Sequence, residues 1–211
     1  RRPVQTNRGT IVVDANGYGD FAKIEDAITY IAGQGLNESV KILIRKGTYY
    51  PQVNISLLSN MIVEGEGTSN TIIDFNGLGV GVNLSSINNF GLQDLTIQNS
   101  NATGGIILTS CDRFKFSNIR VTSCDQKGIR LVTTTNTNGF FERCRSDANT
   151  GIALSNEIGI QEVTFSNCSF EAVAGIDAVD FSGSVAALNV VFINCNASKG
   201  TNGFDFNGTA Y

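Results

Sequence analysis

The chain contains no histidine. That absence removes Ser-His and Cys-His nucleophile pairs, imidazole general bases and His-ligated metal centres, so any chemistry must rest on carboxylates, Lys, Arg or Tyr. Tryptophan is also absent, there are only 2 Pro and 1 Met, and charged residues make up 16% of the chain. The 15 Lys and Arg stand against 19 Asp and Glu, a net charge of -4, which leaves no basic field to attract nucleic-acid phosphates. No apolar run nears the roughly 18 residues of a membrane helix, and no charged-then-apolar leader opens the chain. Neither nucleic acid nor membrane is therefore an expected partner. The 5 Cys lie between Cys111 and Cys195, an odd number without CxxC pairs, which indicates neither a zinc site nor a complete disulfide framework. Buried free thiols are expected, with no metal and no cofactor.

What the chain has instead is neutral hydrogen-bonding capacity: 23 Asn, 18 Thr and 17 Ser, alongside 23 Gly. With 211 residues, 41% of them apolar, it is long enough for a sizeable core. Self-comparison reveals a period. Gly81-Val82-Asn83-Leu84, Gly105-Ile106-Ile107-Leu108, Gly128-Ile129-Arg130-Leu131 and Gly151-Ile152-Ala153-Leu154 repeat one pattern, and Gly175-Ile176-Asp177-Ala178 and Gly203-Phe204-Asp205-Phe206 continue it. The glycine steps are 24, 23, 23, 24 and 28 residues. Between these marks run two further ladders in step, Leu92, Phe116, Phe141, Phe165, Phe192 and Leu95, Ile119, Cys144, Cys168, Cys195.

Each repeat alternates apolar and polar residues over short stretches rich in Val, Ile, Phe and Thr, with Asn, Gly, Ser and Asp between them, the pattern of half-buried strands joined by corners. One repeat cannot bury its own inner face, so coils must stack. The spacing predicts an all-β parallel β-helix of about seven coils over residues 41–211. Residues 1–40 break the period and read as a lid on the first coil: strand Ile11-Val12-Val13, then a helix capped by Asp20, with Phe21, Ile24, Ala27, Ile28 and Ile31 on one stripe and Gly33 and Gly35 at its end.

The stretch Ile11-Val12-Val13-Asp14-Ala15-Asn16-Gly17-Tyr18-Gly19-Asp20-Phe21, followed by Lys46-Gly47-Thr48-Tyr49, Val53-Asn54-Ile55 and Ile62-Val63-Glu64-Gly65-Glu66-Gly67, resembles the opening of pectin methylesterases and of the wider pectin-lyase-like superfamily. The resemblance covers residues 10 to 75 in detail and implies a right-handed parallel β-helix with an N-terminal capping helix. It does not carry the esterase motifs across. Gly47-Thr48-Tyr49-Tyr50-Pro51 has proline where the family has glutamate, Asp125-Gln126 inverts the Gln-Asp order, and Asp180-Phe181-Ser182-Gly183 only echoes the family's Asp-Phe-Ile-Phe-Gly. A chain without His also lacks the Gly-His-Gly motif of the similar polygalacturonases.

In the glycine frame the outward column is Asn83, Ile107, Arg130, Ala153, Asp177, Asp205. Asp177 and Asp205 are then expected on adjacent coils as a paired acid and base, with Asp180 nearby and Arg130 holding a sugar acid or serving as the base of an elimination. The acids available for a calcium site, Asp112, Asp125 and Asp147, are scattered. Tyr18, Tyr49 and Tyr50 are the expected exposed aromatics for sugar contact, and the Cys ladder is read as core. The leading expectation is a non-catalytic or weakly catalytic module of a phage tail fibre or tailspike, virion-borne or extracellular, which binds polysaccharide within a longer homotrimeric protein. The alternatives are a depolymerase using Asp177, Asp180 and Asp205, and a purely structural spacer.

Overall fold

A strand turns sharply at one residue only if that residue accepts a left-handed backbone, which Asn tolerates better than most side chains. The structure, a computed structural model, describes residues 9–35, 39–132, 136–147, 149–157, 159–181, 186–199, 201 and 203–205. Half of its non-glycine residues with positive φ are Asn, and they fall into columns. One column is Asn60, Asn89, Arg113, Asn138, Glu162 and Asn189, with φ of 51–61°; the other is Asp94, Asn118, Arg143, Asn167 and Asn194, with φ of 51–57°. From Asn89 onward the second corner follows the first by five residues: Asn89 to Asp94, Arg113 to Asn118, Asn138 to Arg143, Glu162 to Asn167, Asn189 to Asn194. Corner chemistry therefore accounts for much of the abundant Asn.

The strands between the two corners form one wall, and those beyond the second corner form another. Asn88–Gln98 and Asp112–Thr122 bend through the corner and serve both, so the two walls make a single fourteen-stranded sheet. The third wall is a six-stranded sheet of Val82–Ser85, Ile106–Thr109, Lys127–Val132, Ile152–Asn156, Val179–Asp180 and Phe204–Asp205. An isolated bridge between Ile55 and Val82 carries that wall one turn further. The pairings within both sheets are parallel, so successive coils stack at about 4.8 Å.

Both inner ladders stack as their spacing indicates. Leu92, Phe116, Phe141, Phe165 and Phe192 stand in register, with successive ring centroids 5.0, 4.7 and 4.7 Å apart. Leu95 pairs with Ile119, and the pairs Arg120–Arg145–Ser169–Asn196 place Cys144, Cys168 and Cys195 next in the same column. All five cysteines are free, and Cys111, Cys124, Cys144 and Cys168 are buried. Each thiol of the column reaches a carbonyl on the preceding coil, those of Phe116, Phe141 and Phe165, at 3.3–3.5 Å. Burial pushes the Cys124 thiol up to about 11, and the adjoining Cys144 together with burial raises that of Cys168, so these groups stay protonated.

Strand Thr10–Val13 pairs with Val40–Ile44 at the head of the long sheet, and the helix Ile24–Gln34 lays Ile24, Ala27, Ile28 and Ile31 on the core. Asp20 does not cap this helix. Lys23 occupies the cap position without a side-chain bond, and the Asp20 carboxylate instead accepts the Val12 amide at 2.9 Å, tying the lead-in loop to the first strand. Gly33 lies within the helix, whose end is the left-handed Gly35.

Candidate functional site

The six-stranded wall carries most of the residues singled out in the sequence, and its register rearranges them. Asn83 pairs with Ile107 and Ile107 with Arg130, as the glycine frame indicates, but Arg130 pairs with Ser155, Ser155 with Asp180 and Asp180 with Asp205. The register column is therefore Asn83, Ile107, Arg130, Ser155, Asp180, Asp205, with Ser155 buried. Ala153 and Asp177 drop out of it. The apparent 28-residue glycine step is absent from the pairing, because Val179-Asp180 stacks on Phe204-Asp205 with a step of 25 residues. Asp177 lies ahead of that strand, half-buried, and is not the register partner of Asp205. Asp180 is, which puts two carboxylate-bearing positions on adjacent strands. The side chain of Asp205, like Ser182 and Gly183, lies outside the described residues.

Arg130 is already engaged. Its guanidinium holds Glu157 side-on, Nε to Oε1 and Nη2 to Oε2 both at 2.7 Å, while Nη1 donates to Thr103 Oγ1 at 2.8 Å. Lys127 donates to the same carboxylate. Arg130 and Glu157 are each about a quarter exposed, so this forked pair is shielded better than a loose surface bridge. The Glu157 partnership raises the Arg130 pKa, opposite to what a proton-abstracting base requires, and Arg130 with Lys127 holds the Glu157 carboxyl down at about 2 against its burial. Sequence reasoning missed Glu157 because it sits 27 residues from Arg130, a separation that no single glycine step indicates.

The sign of the pH effect follows. A carboxyl depressed from 4.5 to about 2 contributes stability that is complete above pH 4.5 and is lost as pH falls toward 2. Urea unfolding of Glu157→Gln should therefore show lower stability than the parent at pH 7 and a difference that closes at pH 2; an equal difference at both values would show that the ion pair is not its source.

The tyrosines divide. Tyr18 and Tyr50 are exposed, but Tyr49 is only 5% exposed, its hydroxyl donating to the Arg45 carbonyl at 2.9 Å and accepting the Ala15 amide at 3.3 Å. It is a strut between lid and first coil rather than a sugar platform, since the strand Gly47–Tyr49 turns it inward. Phe114, Phe116 and Phe141 are core, and Phe140, next to Phe141, is half-exposed. Among the described residues no cluster of three or more Cys, Asp and Glu is set to hold a metal ion, and no helix is long and apolar enough to cross a membrane.

No curated protein matches this chain in sequence. In structure it is similar to the pectin methylesterase from carrot, with a TM-score of 0.62 at 19% identity, covering 92% of this chain and 65% of the enzyme. It is also similar to pectin methylesterase PemA from Erwinia chrysanthemi, with a TM-score of 0.55 at 15% identity over 87% of this chain and 65% of that one. A third likeness is to ORF18 of Geobacillus virus E2, with a TM-score of 0.50 at 17% identity over 80% of this chain and 45% of that one. At such identities these likenesses speak for the fold. The chain spans less than two thirds of the carrot enzyme's length. The sequence pattern described as a right-handed β-helix region matches residues 46–197, well over half the chain and the same stretch in which the coils stack, so the protein belongs to the right-handed parallel β-helix family.

Proposed function

We propose that this chain is a non-catalytic, polysaccharide-binding β-helix module of a virion or cell-surface appendage, acting outside the cell. The observation that carries this reading is the state of its carboxylates. Among the described residues, the carboxyls whose pKa is displaced are bonded to donors that displace it downward: Glu66 to Arg45, Asp112 to Asn138 and Thr137, Asp147 to Arg120 against its burial, and Glu157 to Arg130. A general acid for glycoside cleavage needs the opposite shift. The Asn-rich corner columns, repeated about every 4.8 Å, instead offer amides that suit a chain of sugar hydroxyls. The similar solved structures are enzymes named for pectin and a virus protein, which fits a polysaccharide partner and an extracellular or virion setting.

One observation favours a second reading, a depolymerase: Asp180 and Asp205 are register partners on adjacent strands, and glycosidases of the two-carboxylate kind need two neighbouring acidic residues. Affinity electrophoresis against capsular and pectic polysaccharides, with parallel assay of reducing ends and of unsaturated-product absorbance, separates these readings. The expected result is retardation without fragments. Fragments that vanish in Asp180→Asn would replace binding by catalysis, and neither retardation nor fragments would leave a structural spacer.

A further inference from the structure

The first wall, between the two corners, carries an outward column of its own: Lys41, Ile62, Gly91, Lys115, Phe140, Thr164 and Val191 stand in register on successive coils. Gly91 is the one position in it without a side chain. A Cβ there would lie 2.8 Å from the Lys115 carbonyl oxygen, so the coils approach too closely to admit one, and the notch is built into the backbone. It opens a groove of about 300 Å³, at the small end of ligand pockets.

The groove has a sign. Its charged lining residues are Arg113 and Lys115, both cationic, in a chain whose net charge is -4. Their acidic partners, Asp112 at 3.1 Å from Arg113 and Glu142 at 3.5 Å from Lys115, are not among the lining residues. Both cations are more than half exposed, and exposed ion pairs of this kind hold weakly, so an incoming anion competes for them readily. Ile62, 39% exposed, supplies apolar surface beside the notch, and Gln93, whose Nε2 donates to the Glu64 carboxylate, presents its amide there. Two cations, an amide and a small apolar floor are what one anionic sugar ring presents surfaces for: a carboxylate or sulfate at its edge, hydroxyls around it and C–H groups on its face.

We propose that the Gly91 notch is a subsite for an anionic sugar unit, bearing a carboxylate or a sulfate, within the polysaccharide that the module binds. This inference rests on the polysaccharide-binding reading and assigns it a charge class and a place on a wall different from that of Arg130, Asp180 and Asp205.

The test is titration of the intact chain with three oligosaccharides of equal length, an oligogalacturonate, a sulfated oligosaccharide and a neutral maltooligosaccharide, by calorimetry at two salt concentrations. An anionic oligomer should bind at least 10-fold more tightly than the neutral one and weaken as salt rises. Lys115→Gln and Arg113→Gln should each weaken that binding about 5- to 10-fold, and Lys115→Arg should retain it, with circular dichroism confirming that all three fold. The preferred anionic oligomer identifies the group, carboxylate or sulfate. Anionic binding that is indifferent to the Lys115→Gln/Arg113→Gln double variant would overturn the notch while leaving the polysaccharide reading intact. Failure of every polysaccharide to retard the protein in electrophoresis would overturn both.

Discussion

Phe165→Ala should lower the stability of the chain by roughly 3–5 kcal/mol, the range for emptying a large buried aromatic site. Phe165 is fully buried and is the hub of the ring column: it stacks on Phe141 and on Phe192 with centroids 4.7 Å away and interplanar angles of 10° and 8°, and meets Phe170 edge-on at 6.0 Å. Each such pair adds about 0.5–1.5 kcal/mol beyond area burial, so truncation removes three pair terms together with the buried surface. The geometry also sets how the loss is expressed. Coils interact only with neighbours, so a gap at Phe165 weakens the coupling between the coils before it and those after it. Denaturant unfolding followed by circular dichroism should show a lower midpoint and a broadened or split transition. A loss under about 1 kcal/mol would mean that the column is not the spine of the core.

Gly151→Ala should be comparably damaging through excess rather than deficit. A Cβ at Gly151 would sit 1.6 Å from the carbonyl oxygen of Gln126 and 2.6 Å from its carbon. Both belong to the backbone of the previous coil, which cannot rotate away as a side chain can, so the coils must separate locally. Overpacking of this kind costs about 1–3 kcal/mol or more. Gly33→Ala is the matched control: a Cβ there meets nothing within 4 Å, and the position is helical, so the same change should stabilise by about 0.5–1 kcal/mol. Thermal melts of the two variants should move in opposite directions, and a neutral Gly151→Ala would show that the coils are not in contact there.

The contrast between what the sequence exposed and what it hid follows from where coil length varies. The Phe and Cys ladders belong to the segment around the two corners, where each coil from Asn89 onward keeps five residues from corner to corner, so equal spacing in sequence means equal position in space. The glycine ladder lies on the far side of the coil. There Gly128 aligns with Ala153 rather than Gly151, a slip of two residues that preserves inner and outer faces while moving each outward residue to a different neighbour. Ala153 gave way to Ser155 for that reason, and the Arg130–Glu157 pair was invisible for the same one, whereas Asp180 lies three residues beyond Asp177 because the next coil adds one more residue of slip where Ser155 pairs with Asp180. Tyr49 failed differently. Its neighbour Tyr50 is exposed, and a pair of tyrosines in sequence does not say which of the two a short strand turns inward.

The fixed five-residue interval has an evolutionary corollary. An insertion of one residue between the corners would turn buried side chains outward on its coil and break the ring column, so length change there is lethal to the fold. An insertion in the connection beyond the second wall leaves both ladders untouched. Loops that reshape recognition can therefore accumulate on only one flank of the solenoid, and lineages using this scaffold should diverge in length there while keeping the interval from Asn89 to Asp94 and its counterparts constant.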